Sequence, residues 1–120
     1  MPNFDNIKPG LTAEDTVTVD ESLSITHTRV PMLSTPKMID LMERVCKNLV
    51  QGLLPEGFIT VGYEVHVKHT APAPIGTQIR TWCKVVEADG RKLLFDVRVS
   101  AGDKTIGAGQ HRRTIIPYSE

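Results

Sequence analysis

The sequence is poor in most of the features that mark specialised classes of protein. It has only two cysteines, Cys46 and Cys83, which are too few for a disulfide scaffold. Aromatic residues make up 5% of the chain, and 14 basic side chains are balanced by 14 acidic ones. This balance argues against a nucleic-acid-binding protein and against a polybasic protein of the membrane surface. No apolar run approaches the roughly 18 residues that a membrane-spanning helix needs.

What remains is the composition of a globular protein, with 40% hydrophobic and 23% charged residues. The first residues, MPNFDNIKPG, lack the basic-then-apolar pattern of a secretory signal. We therefore expect one domain over residues 1–120 and a cytoplasmic location. The histidines and cysteines do not have the spacing of metal ligands, so no metal site is expected.

The clearest element is an amphipathic helix within residues 34–54. Thr35 is the expected N-cap, because Pro36 suits the first helical position, and Gly52 or Pro55 is the expected end. Such a helix spans roughly 30 Å, so its apolar face needs a large surface to pack on. Apolar residues recur at the spacing of one helical face: Met38, Leu41, Met42, Val45, Cys46, Leu49, Val50 and Leu53.

Predicted strands supply that surface. One is predicted over residues 16–25, and four follow the helix, at 58–69, 77–87, 93–99 and about 105–116. The segment ADG between the third and fourth of these five strands is a strong hairpin signal. This order predicts an α+β hotdog fold, in which an antiparallel sheet wraps around one long central helix. Because pairing with a second copy protects an open sheet edge, we expect a homodimer.

Two polar residues lie at the border of the predicted core. Glu43 is at the edge of the apolar stripe of the helix, where it is either a half-solvated carboxylate paired with Lys47 or part of a site. His69 shares the alternation of Ile59, Val61, Tyr63, Val65 and Val67, and therefore faces the core at the end of its strand. It is either a hydrogen-bonded rim histidine or a general base. His66 faces the opposite way.

The start of the helix and the last strand carry further candidates. Thr35 is either a capping hydroxyl or part of an anion site at the helix N-terminus, and Arg112-Arg113 are ordinary exposed strand charges in the simplest interpretation. Thr35 and Glu43 are separated by about 12 Å along the helix axis. Either a dimer interface joins Thr35 of one chain to Glu43 of the other, or a substrate spans the gap. His27 and His111 have no comparable context.

These residues make the sequence similar to a known family. The chain resembles the fluoroacetyl-CoA thioesterases, a branch of the hotdog-fold acyl-CoA thioesterases. The resemblance covers residues 16–116 and rests on Thr35, on LMERVC around Glu43, and on the segments VGYEVHVKHTAPAPIG, EADGRKLLFDVRVSAGD and IGAGQHRRTII.

The resemblance implies a thioester hydrolase with its site at a dimer interface. Its catalytic set falls on Thr35, Glu43 and His69, and its substrate-binding residues fall on Gly62 and Arg113. It implies an acyl-CoA substrate, and no metal or other cofactor is required.

The predicted function is therefore hydrolysis of a small acyl-CoA thioester to the free acid and CoA. The family's fluoroacetate enzyme has a longer, Phe-containing segment before the catalytic Thr, whereas HTRVPMLST here has no aromatic residue. We therefore expect a broader range of acyl groups or a different small acyl group. Two alternatives are an enoyl-CoA hydratase-type hotdog enzyme, and a non-catalytic hotdog dimer that binds acyl-CoA.

Overall fold

The computed structural model describes residues 3–25 and 29–118. Its elements are, in chain order, β1 (Thr12–Thr18), a 3₁₀ turn (Glu21–Leu23), β2 (Ser24–Ile25), β3 (Met32–Leu33), α1 (Thr35–Gln51), β4 (Phe58–His69), β5 (Gln78–Asp89), β6 (Lys92–Ala101) and β7 (Lys104–Pro117). Five strands form one antiparallel sheet in the order β1-β5-β6-β7-β4, and the short strands β2 and β3 pair with each other. Helix α1 packs against the sheet, so the predicted α+β architecture is confirmed.

The helix begins one residue away from the predicted position. Ser34, not Thr35, is the N-cap, and its Oγ accepts a hydrogen bond from the backbone N–H of Lys37 at 3.2 Å. The predicted capping role of Thr35 is therefore wrong. Proline does not mark one position uniquely, because the first backbone N–H groups of a helix all lack helical partners. The helix ends at Gly52, as predicted.

The core lies between the helix and the sheet. Its helical side is the predicted apolar stripe, with both free cysteine thiols buried in the same core. Helix and sheet approach closely at Gly107 of β7, where an added Cβ would lie 2.8 Å from Met38 Cε. Buried core residues on the helix are Met38, Leu41, Met42, Val45, Cys46 and Val50, and on the sheet include Ile79, Cys83, Val85, Leu93, Phe95, Val97, Val99, Ile106 and Ile115.

The first predicted strand has the wrong boundaries. The predicted strand over 16–25 is instead β1, which begins earlier and ends at Thr18, followed by the 3₁₀ turn and β2. The Asp20 carboxylate accepts a hydrogen bond from the backbone N–H of Ser22 at 2.9 Å and caps that turn. Such a local side-chain bond competes with strand pairing, and it interrupts the apolar alternation here. Within the described ranges, no helix is long and apolar enough to cross a bilayer.

Strand β4 lies at one edge of the sheet and contains a bulge between Gly62 and Glu64. Thr60, before the bulge, and His69, after it, both lie opposite buried residues of β7. Because residues directly opposite each other share a face, both side chains point toward the helix although one number is even and the other odd. The bulge therefore switches the alternation of this strand.

The change of alternation at the bulge decides which of the residues predicted to face the core from β4 do so. The core-facing position is confirmed for His69, which is half-buried, while His66 is exposed as predicted. The prediction is wrong for Val61 and Tyr63, which are 38% and 48% exposed. Val65, just past the bulge, lies opposite buried His111 and so is on the predicted side, but it is 39% exposed. The open edge of the sheet therefore carries three large apolar side chains at its surface.

A glycine in β7 is required by the closeness of β4. We expect Gly109→Ala to lower the free energy of unfolding by about 2 kcal/mol, because overpacking of this kind forces the backbone to shift. The added Cβ would collide with the His66 carbonyl oxygen and lie 2.6 Å from Val67 Cα. Gly52→Ala is the matched control, since its Cβ meets nothing within 4 Å and its backbone is helical. Urea unfolding checks both variants, and equal midpoints would contradict the prediction.

Candidate active site

The start of helix α1 meets the end of strand β4 at a hydrogen bond between two of the predicted site residues. Thr35 Oγ1 lies 2.9 Å from His69 Nδ1. Ser34 already caps the helix, so the Thr35 hydroxyl is not used for capping. A hydroxyl paired with an imidazole is the arrangement of a nucleophile and its general base.

The Thr35–His69 pair borders a cavity of about 350 Å³. The cavity walls are mainly apolar and come from β2, β3 and the loop after β4: Ile25, Met32, Leu33, Thr70, Ala71 and Pro72. On the other side of the ring, His69 Nε2 is buried and has no hydrogen-bond partner among the described residues. An imidazole with one nitrogen on the Thr35 hydroxyl and the other unpaired lacks the third group that orients a catalytic base.

Glu43 and Arg113 form a separate group farther along the helix. They line a cavity of about 270 Å³ together with Asp40, Arg44 and Lys47. In the described part of the chain, Glu43 and Lys47 do not form the ion pair considered as an alternative. Glu43 is half-buried and about 12 Å along the axis from the Thr35–His69 pair. Within one chain, the predicted catalytic residues therefore lie in two separate groups, with Thr35 and His69 in one and Glu43 in the other.

Arg113 is only 5% exposed, so its interpretation as an exposed strand charge is wrong. Its Nε donates to Thr60 Oγ1 at 2.8 Å and its Nη2 to the Thr60 carbonyl at 3.0 Å. Its Nη1 lies 3.1 Å from His111 Nε2. Burial lowers the pKa of Arg113, which Cys46 and Glu43 partly offset.

His111 and Thr60 are buried residues that the sequence interpretation missed. His111 Nδ1 lies 2.8 Å from the Glu64 carbonyl oxygen. Burial lowers the pKa of His111, and Arg113 adds to this effect. The sequence signal for His111 was the alternation of β7. His111, Arg113 and Ile115 are two residues apart in turn, so they share one face of the strand, and Ile115 marks that face as apolar. For Thr60 the bulge hid the signal, because it reverses the alternation.

The backbone of Gly62 lies against the side chains of His111 and Arg113. An added Cβ there would lie 2.7 Å from His111 Cε1 and 3.2 Å from Arg113 Nη1. The glycine is needed for the close approach of β4 to these two side chains. Arg112, by contrast, points to the outer face, where its Nε lies 3.6 Å from a carboxylate oxygen of Glu64.

Two further points from the sequence concern His27 and the spacing of possible metal ligands. His27 lies outside the described residues. Within those that are described, no three His, Cys, Asp or Glu side chains are grouped so as to hold a metal ion.

The sequence matches a family profile over most of its length. The profile "FlK: Fluoroacetyl-CoA-specific thioesterase" matches residues 11–119. The fluoroacetyl-CoA thioesterase of Streptantibioticus cattleyicolor is 31% identical over 85 residues. The aligned region covers 71% of this chain and 61% of that relative, so the chain matches about three fifths of the relative's length.

Solved structures share the fold. A variant of the fluoroacetyl-CoA-specific thioesterase FlK, in complex with fluoroacetate and CoA, superimposes with a TM-score of 0.86 at 24% identity, over 92% of this chain and 96% of that one. A thioesterase superfamily member from Thermus thermophilus gives a TM-score of 0.85 at 22% identity, over 92% and 85% of the two chains. The α+β fold with its central helix is therefore the hotdog fold of FlK.

Ser34, which caps helix α1, and Thr35, which does not, should contribute differently to the free energy of unfolding. We expect Ser34→Ala to lower the free energy of unfolding by about 1 kcal/mol, the usual cost of losing an N-cap. Thr35→Ala, at an exposed hydroxyl that caps nothing, should change it by less than about 0.5 kcal/mol. Thermal and urea unfolding of the two variants measure both values. A larger loss of unfolding free energy in Thr35→Ala than in Ser34→Ala would contradict this prediction and indicate that Thr35 is the N-cap.

Proposed function

The chain belongs to the fluoroacetyl-CoA-specific thioesterase family of hotdog thioesterases, and on this premise we propose that it hydrolyses a small acyl-CoA to the free acid and CoA. The observation that carries the proposal is the 2.9 Å contact between Thr35 Oγ1 and His69 Nδ1 at the edge of an apolar cavity. It supplies a nucleophile and a base next to a space that suits an acyl group.

In the proposed reaction, Thr35 Oγ1 attacks the thioester carbonyl carbon and its proton passes to His69 Nδ1. The tetrahedral intermediate collapses, the carbon–sulfur bond breaks, and the leaving thiolate of CoA takes the proton from His69. Water then attacks the acyl-threonine ester and gives a proton to His69. The ester carbon–oxygen bond breaks, the acid is released, and His69 returns the proton to Thr35 Oγ1. Negative charge on the carbonyl oxygen develops near the N-terminus of helix α1, where the helix dipole favours it.

Glu43 of a second copy completes the site in this proposal. Within one chain Glu43 is too far along the helix to reach His69, whose Nε2 lacks a partner among the described residues. A carboxylate at Nε2 would orient the ring and stabilise the imidazolium. Val61, Tyr63 and Val65, exposed on edge strand β4, support a homodimer formed through this edge.

The walls of the cavity favour a small aliphatic acyl group. Ile25 and Met32 line it from one side and Ala71 and Pro72 from another, and none of the described residues that line it is aromatic. A hydratase-type reaction leaves the thioester intact, so release of free thiol distinguishes hydrolysis from this alternative.

The test of the activity is release of free thiol from a panel of acyl-CoAs, from acetyl and fluoroacetyl to medium-chain and aromatic acyl groups. We expect His69→Ala to lower kcat by about a hundredfold or more, the contribution of a general base. Thr35→Ser should remain active, while Thr35→Ala and Glu43→Gln should lose most activity. The His66→Ala variant is the matched control, because His66 is on the same strand but exposed on the other face.

Two outcomes would overturn this proposal. Thiol release that persists in His69→Ala within a few-fold of the unmodified protein would make His69 a structural rim residue. Binding of acyl-CoA without thiol release from any substrate would instead favour the non-catalytic dimer.

A mixing experiment tests whether two chains share one site. We expect inactive His69→Ala and inactive Glu43→Gln chains to regain about a quarter of the normal activity when they are unfolded together and refolded, because half of the dimers formed at random are mixed and each holds one intact site. Each variant refolded alone is the control. If the mixture stays as inactive as its components while sedimentation shows dimers, each site is built within a single chain.

A further inference from the structure

The buried guanidinium of Arg113 is held by neutral groups. Its three hydrogen bonds go to the hydroxyl and carbonyl of Thr60 and to the ring of His111. Within residues 3–25 and 29–118, no carboxylate lies within ion-pair distance of it. A buried carboxylate partner would neutralise the charge, whereas hydroxyl, carbonyl and imidazole acceptors leave it fully positive.

The hydrogen bonds also fix the protonation of His111. A guanidinium has only N–H donors, so His111 Nε2 must accept the bond from Arg113 Nη1. The Glu64 carbonyl is only an acceptor, so His111 Nδ1 must carry the proton and donate it. His111 is therefore the neutral Nδ1–H tautomer. Its ring also stacks on that of Phe95, with the two ring centroids 6.4 Å apart.

Two of the guanidinium N–H donors have no partner among the residues that the structure describes. Of the five N–H donors of an arginine, three are used by Thr60 and His111. The remaining donors belong to the two terminal nitrogens. Arg113 lines the Glu43 cavity, so the group is oriented toward the space beside the proposed catalytic carboxylate.

We propose that Thr60 and His111 are positioning residues that hold Arg113 as a fully charged donor to an oxygen atom of the acyl-CoA substrate. This inference rests on the proposed function and adds residues to it. Thr60 fixes the guanidinium plane through two bonds from one residue, and His111 fixes its rotation through a third. Gly62 keeps this geometry, because a side chain there would displace both His111 and Arg113.

The kinetic test compares isosteric and conservative variants. We expect Thr60→Val, which keeps the volume but removes the hydroxyl acceptor, to lower kcat/KM by about tenfold or more, and Thr60→Ser to stay within about threefold. His111→Phe should behave like Thr60→Val, and His111→Gln should recover part of the loss by offering an oxygen acceptor. Thr114→Val, on the outer face next to Arg113, is the matched control.

A double-mutant cycle separates positioning from simple loss of stability. If Thr60 acts through Arg113, Thr60→Val will cost nothing further once Arg113→Met is present. Additive losses in the double variant, or an unchanged kcat/KM in a folded Thr60→Val protein, would overturn the inference.

A spectroscopic measurement keeps the inference testable if the proposed function fails. Long-range ¹H–¹⁵N correlation of the unmodified protein should show His111 as the Nδ1–H tautomer at pH 7, and the Arg113 Nε–H signal should exchange slowly and lose that protection in Thr60→Val. An Nε2–H tautomer, or an unprotected Arg113 Nε–H, would overturn the positioning role itself. Absence of thiol release with these signals present would overturn only the proposed reaction.

Discussion

The packing of helix α1 against the sheet is the contact on which the rest of the structure depends. Its buried stripe fixes the rotation of the helix, and Gly107 lets Met38 approach strand β7 closely. Once the helix is fixed, Thr35 lies at the end of β4, and Glu43 lines a cavity together with Arg113 of β7. The positions of Thr35 and Glu43 relative to the sheet follow from this one interface.

The bulge in β4 is the second constraint. Without an extra residue in this strand, Thr60 and His69 would point to opposite faces of the sheet. With it, Thr60 and His69 both face the helix, so that Thr60 can hold Arg113 and His69 can contact Thr35. The same edge strand leaves apolar side chains exposed, which connects the internal geometry of the site to the proposed pairing of two copies.

The two groups of polar residues differ in their electrostatics, and the proposed hydrolysis uses both kinds. The Thr35–His69 pair is a hydroxyl and an imidazole at an apolar cavity, suited to proton transfer. Arg113 is a buried cation supported by neutral acceptors, suited to holding a polar oxygen atom of the substrate. Their separation along one helix is the physical reason to look for the complete site between two chains.

The sequence by itself determined the helix and the later strands, because apolar periodicity reports local structure. It also predicted Thr35, Glu43 and His69 as site residues, because the family motifs cover these positions. It misplaced the helix cap by one residue, since proline fits anywhere in the first turn, and it missed Thr60 and His111. Only the tertiary structure decided these last two, because a bulge is set by the pairing of β4 with β7 rather than by the residues of β4 alone. Likewise, burial of Arg113 depends on the helix that covers it, which no local pattern in its own strand encodes.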